Sequence, residues 1–123
     1  MEQSKKIKNF TDLRAWKEAH KLVLLVYEIT KKLPKEELFG LTSQMRRAAI
    51  SITSNIAEGF SRGSAKDKNQ FYTIATGSLT ELQSQFFIAQ DIGYLLENDF
   101  NSLYRQSIEA KKVLSGLKRI YHE

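Results

Sequence analysis

The side chains that most often carry out chemistry are few in this chain: two histidines, His20 and His122, fourteen carboxylates, and no cysteine. A nucleophile needs an adjacent base that a third group orients, and a metal needs several converging His, Cys or carboxylate ligands. His20 stands between Trp16 and Tyr27 on an apolar stripe, where it reads as a hydrogen-bonded core histidine. The Glu-x-x-His pattern of di-iron bundles is missing, because Lys17 stands three residues before His20. Glu58 and Glu81 could turn inward, but two carboxylates without a ligand set support no particular reaction. No glycine-rich phosphate loop follows a strand, since no strand pattern exists. The expectation is a non-enzymatic protein with no metal, no cofactor and no small-molecule substrate.

Binding remains, and its best candidate lies between Gln44 and Gly59. At about 100° per residue, Met45, Ala49, Ile52, Ile56 and Phe60 share one side of a helix. Arg47, Ser51, Ser54, Asn55, Glu58 and Arg62 fall opposite. Ser and Asn are weak interior helix formers because their side chains compete for backbone hydrogen bonds. Three readings fit this stripe. One is a solvated face stapled by Arg47–Ser51 and Glu58–Arg62 pairs. The second is a structural polar network of Ser51, Asn55 and Glu58 reaching Arg46 or Arg47, within the fold or between subunits. In the third, Arg46, Arg47 and Arg62 contact RNA phosphates while Ser51 or Asn55 meets sugar or base. A second basic set, Lys111, Lys112, Lys118 and Arg119, would be auxiliary. The net charge of +5 favours polyanions without singling one out.

The elements that must position these residues are all helical. The 123 residues suit one domain, with residues 1–10, including Lys5, Lys6 and Lys8, expected as a mobile basic arm. A first helix is expected over 12–33, capped at Thr11 and ended by Pro34. Its apolar arc is wide: Leu13, Trp16, His20, Val23, Leu24 and Tyr27 form one stripe, Leu22, Leu25, Ile29 and Leu33 another. That width calls for a central place in the domain or, in a domain this small, a partner on a second side. Leu38 and Phe39 are expected to plug the core. Thr42 or Ser43 caps helix two, and Ser64 with Asp67 caps helix three.

Helix three should bury Phe71, Ile74, Ala75, Ser78, Leu79, Leu82, Phe86, Ala89 and Ile92. Its other stripe is uncharged, and Tyr72, Gln83, Phe87 and Tyr94 there read as an oligomer interface. A close helix–helix approach would account for Gly77-Ser78. Helix four, starting at Asn98 or Asp99, should turn Phe100, Leu103, Tyr104, Ser107, Leu114, Leu117 and Tyr121 inward. The fold class is all-α, an antiparallel up-down-up-down four-helix bundle. No run reaches the ~18 apolar residues that span a bilayer, and no signal peptide is evident, so the expected location is cytoplasmic.

Several segments together resemble the bacterial 23S ribosomal RNA intervening-sequence proteins. They are Phe10-Thr11-Asp12-Leu13-Arg14-Ala15-Trp16-Lys17, Phe39-Gly40-Leu41-Thr42-Ser43-Gln44-Met45-Arg46-Arg47-Ala48, and Asn55-Ile56-Ala57-Glu58-Gly59, with Ser51-Ile52, Gly77-Ser78-Leu79 and Glu81-Leu82. The resemblance implies an antiparallel four-helix bundle assembled as a ring, a homopentamer, with no catalytic activity. It also implies kinship with the accessory variability proteins of diversity-generating retroelements, which bind nucleic acid and a reverse transcriptase. The expected partners are therefore further copies of this chain and RNA or a nucleic-acid-handling protein; the alternative is a protein-interaction scaffold without a nucleic-acid role. Thr53 replaces a proline common in that family, which implies a straighter second helix.

Overall fold

Helix boundaries in this chain are set by short-range hydrogen bonds that the sequence supplies. The computed structural model describes residues 6–122, and the N-terminal arm expected from residues 1–10 lies outside them as far as Lys5. Asn9 and Phe10, by contrast, belong to a 3-10 turn at Phe10–Asp12. The Asn9 side chain accepts the Thr11 N–H at 3.0 Å, and the Asp12 carboxylate accepts the N–H groups of Lys8 and Asn9. Extended backbone at Leu13 then separates this turn from helix α1, Arg14–Thr30. The first helix is thus shorter at both ends than expected.

Helix α2 spans Leu41–Ser61 without a break. The expected Thr42 or Ser43 cap is not used; Glu37, in a 3-10 turn at Lys35–Glu37, accepts the Leu41 N–H through Oε1 at 2.9 Å. Helix α3, Ala65–Ile92, starts where Ser64 Oγ accepts the Asp67 N–H. It stops at Gly93, whose φ of 99° only glycine adopts readily, with the Tyr94 N–H returning to the Ala89 carbonyl. Helix α4 covers Glu97–Ile120, with acids in its first turn and Lys118 and Arg119 in its last, the signs the helix ends favour.

The four helices pack as a square, each against its two neighbours, with α1 diagonal to α3 and α2 diagonal to α4. Side-chain hydrogen bonds fix the directions. Arg46 at the start of α2 reaches Thr30 at the end of α1, and Lys68 at the start of α3 reaches the Phe60 carbonyl near the end of α2. Asn69 reaches the Lys118 carbonyl, and Lys32 pairs with Asp99. Each link joins the end of one helix to the beginning of another, so all neighbours run antiparallel.

Leu22, Val26, Met45, Ile52, Ile56, Leu79, Leu82, Phe86, Leu103 and Leu114 fill the interior. Among these, the α2 stripe holds as expected apart from Phe60, which is half-buried beneath Lys68. Elsewhere the expected stripes are rotated. The buried line of α1 is Ala15, Ala19, Leu22, Val26 and Ile29, which leaves Trp16, His20, Val23 and Tyr27 partly exposed and Leu24 exposed. Two small residues bring α1 close to its neighbours, and the large ones spread outside that contact. On α3, Ile74 and Ile92 face solvent. Leu38 and Phe39 do not plug the core: Glu37 turns back to α2, Phe39 is thrown 94% exposed into solvent, and Leu33 and Leu95 close that end.

Candidate interaction surfaces and the polar seam

The polar residues of α2 divide between two tasks. Ser51 shares a 2.8 Å hydrogen bond with Ser78 of α3, and Asn55 Nδ2 donates to both the carbonyl and the hydroxyl of Ser51. This network lies within the fold and runs to Ser78, not to Arg46 or Arg47. Glu58 stands outside it on the surface and pairs with Arg62 at 2.6 Å. Glu81 is likewise exposed, so neither carboxylate turns inward.

Gly59 belongs to the same seam. A Cβ there would stand 2.6 Å from Tyr72 Cε1 and 3.0 Å from the Lys68 carbonyl, so α2 and α3 cross closely at this residue. Gly77 marks no such approach, because nothing lies within 4 Å of its open side. Of the Gly77-Ser78 pair, Ser78 makes the close approach, through Ser51, while Gly77 faces open space; a second close crossing lies at Gly59 and Tyr72.

The proposed oligomer stripe of α3 is largely consumed within the chain. Tyr72, expected on the outside, is only 1% exposed and fills the space beside Gly59. Burial, with Tyr121 nearby, pushes its hydroxyl up to about 12. Gln83 donates to Ser107 Oγ at 2.9 Å, and the Tyr94 hydroxyl donates to Glu37 Oε2, which holds that hydroxyl above its ordinary value. Only Phe87 keeps a large apolar surface, 47% exposed, in edge contact with Phe100 and Tyr104. A second aromatic row runs along α1. Phe10 meets Trp16, His20 stacks on Trp16 at 4.6 Å, and Arg46 lies over the Tyr27 ring. His20 is thus a stacked, partly exposed histidine, not a hydrogen-bonded core residue.

The basic candidates do not converge. Arg46 and Arg62 are sixteen residues apart on one helix, about 24 Å at 1.5 Å per residue. Arg46 is held by Thr30 and Tyr27; Arg47 beside it is exposed. Arg62 lies over Phe71 at the opposite end. Lys111, Lys112 and Arg119 do come together, lining a shallow depression with Ile108 and Ser115. Lys118 instead lines a neighbouring hollow with Asn69, Ser115, Arg119 and His122, and its backbone carbonyl accepts from Asn69 of α3. Glu18 has a lowered carboxyl, because Gln106 donates to it across the α1–α4 seam.

Charge shows an order that motif reading missed. The half of the bundle made of residues 6–21, 52–78 and 109–122 carries twelve Lys and Arg against five Asp and Glu. The half made of residues 23–51 and 79–108 carries six against seven. The positive excess therefore sits at the pole where α1 and α3 begin and α2 and α4 end. Counting residues by helix half would have found it, once the antiparallel order was assumed. Among the described residues no three His, Asp or Glu side chains are grouped as a metal site, and no helix is long and apolar enough to cross a membrane.

Residues 11–116 match the family described as 23S rRNA-intervening sequence protein. The fold is similar to a crystal structure of a protein of unknown function from the S23 ribosomal protein family of Bacteroides thetaiotaomicron VPI-5482. The TM-score is 0.79 at 21% sequence identity, over 85% of this chain and 95% of that one. No curated protein matches the chain in sequence.

Proposed function

Because this chain belongs to the 23S rRNA-intervening sequence protein family, we propose that it is a non-enzymatic, homo-oligomeric bundle of the cytoplasm that binds RNA. The observation that carries this reading is the concentration of positive charge at one pole. A phosphate backbone gains most from cations gathered within a Debye length of about 8–10 Å, and spread evenly the same +5 would do little. Arg62, Lys118 and Arg119 lie at that pole and become the main contacts, with Lys111 and Lys112 beside them. Arg46 and Arg47 stand at the other end and serve assembly or packing.

The test is filter binding to a structured RNA over a range of salt concentrations. We expect log affinity to fall linearly with log salt, with several phosphates neutralised. Failure to bind at low salt would end the RNA reading.

A second reading, a scaffold for protein contacts, is favoured by the two aromatic clusters. Phe87, Phe100 and Tyr104 lie on the α3–α4 side, while Trp16, His20 and Tyr27 lie along α1, with Tyr27 against Arg46 of α2. Two unlike sticky faces on one protomer suit head-to-tail contacts, which close into rings. A homopentamer is the ring we favour; a reverse-transcriptase-like protein belongs to the first reading as the alternative to RNA itself, and the scaffold version has no nucleic-acid role. Light scattering that finds a monomer in dilute solution would exclude the ring.

A further inference from the structure

Two hollows adjoin at the basic pole. The larger, about 600 Å³, lies against the first turns of α3 where α4 ends; Phe71, Ile74 and Tyr121 make its apolar floor, with Lys66 at the rim. The smaller, about 290 Å³, is lined by Ser115, Lys118 and Arg119. Asn69 and His122 border both. Asn69 Nδ2 is spent on the Lys118 carbonyl, while its Oδ1 is shielded from water without a hydrogen-bond partner. An oxygen closed to water is closed to a base in the open hollow as well, so Asn69 ties the start of α3 to the end of α4 between the two hollows and is no acceptor for a ligand.

We propose that these hollows form a site for one unstacked nucleotide of single-stranded RNA, its base on the Phe71, Ile74 and Tyr121 floor and its phosphate at Lys118 and Arg119. This rests on the RNA reading above and sharpens it. An unpaired base has a flat apolar face to cover, and its phosphate lies within one nucleotide of the ring. The site offers an apolar floor and cations beside it. Both hollows are open, and the pole holds more cations than one phosphate needs, so the strand can run on across Lys66 and Arg62. Duplex RNA keeps its bases stacked and offers the floor nothing.

The probes are a fluorescein-labelled oligoadenylate of about twelve nucleotides, a duplex RNA of equal length, and AMP. Ile74 is 50% exposed, so Ile74→Asn removes apolar floor without changing charge or opening the core. We expect Ile74→Asn to weaken oligoadenylate binding about tenfold, leaving duplex binding and both salt slopes unchanged. Lys118→Gln should lower the salt slope by about one for either RNA. If Ile74→Asn binds oligoadenylate as the parent does while the parent binds RNA, the nucleotide site is wrong and the RNA reading stands. If the parent binds neither RNA at low salt, both fall. AMP binding as tight as oligoadenylate would overturn the assignment to a strand.

Discussion

The ring of Tyr72 occupies the space that a side chain on Gly59 would need: Cε1 stands 2.6 Å from the position of a Cβ. Replacing Gly59 with Ala should therefore destabilise the bundle by about 1–3 kcal/mol, even though Ala is the better helix former. Urea unfolding of Gly59→Ala measures this. Combining it with Tyr72→Leu should recover part of the loss, since the clash goes when the ring goes.

Gly77 gives the opposite sign. It lies inside α3 with open space around its missing side chain, so Gly77→Ala should raise stability by about 0.5–1 kcal/mol. The same unfolding measurement checks it, and a loss of stability would mean that a second subunit covers this position.

Tyr72 also makes an alkaline prediction. Its folded-state pKa is raised from 10.0 to about 12, so above pH 10 the unfolded chain releases this proton and the folded chain keeps it. The stability contributed by the neutral hydroxyl is complete below pH 10 and is lost as pH rises through about 12. Thermal midpoints recorded between these limits should fall more steeply for the parent than for Tyr72→Phe.

The Ser51–Ser78 hydrogen bond should couple its two residues. A double-mutant cycle with Ser51→Ala and Ser78→Ala is expected to give a coupling energy of about 0.5–1.5 kcal/mol, the usual range for one bond. Additive single effects would remove this pair from any account of the α2 signature.

If the proposed oligomer uses this face, Phe87→Glu should dissociate it while circular dichroism reports unchanged helix, because the Phe87 ring is half-exposed beside Phe100 and Tyr104. Light scattering reads the outcome. An assembled Phe87→Glu would move the interface elsewhere.

Legibility from sequence followed the range of the interactions. Ser64 as a cap and the Met45-Ala49-Ile52-Ile56 stripe depend on neighbours three or four residues away, and both read correctly. Glu37 capping α2 was missed because a side chain outside a helix can replace a capping residue inside it. The reason for Gly59 was not legible, because it lies thirteen positions later, in Tyr72. Tyr72 itself read as surface because period alone fixes which residues share a face, not which face looks inward. The same limit turned Trp16 and His20 inward and hid the pairing of Gln83 with Ser107. Arginine side chains named one by one could not reveal a pole, which exists only once the helices are laid antiparallel.

That pole has a consequence for arrival. With all the excess positive charge in one half of an elongated body, the molecule carries a large permanent electric moment along its axis. A polyanion at a distance exerts a torque on it before any contact forms, turning the basic end forward. Encounter is then oriented, and association should slow with added salt by losing aim as well as attraction.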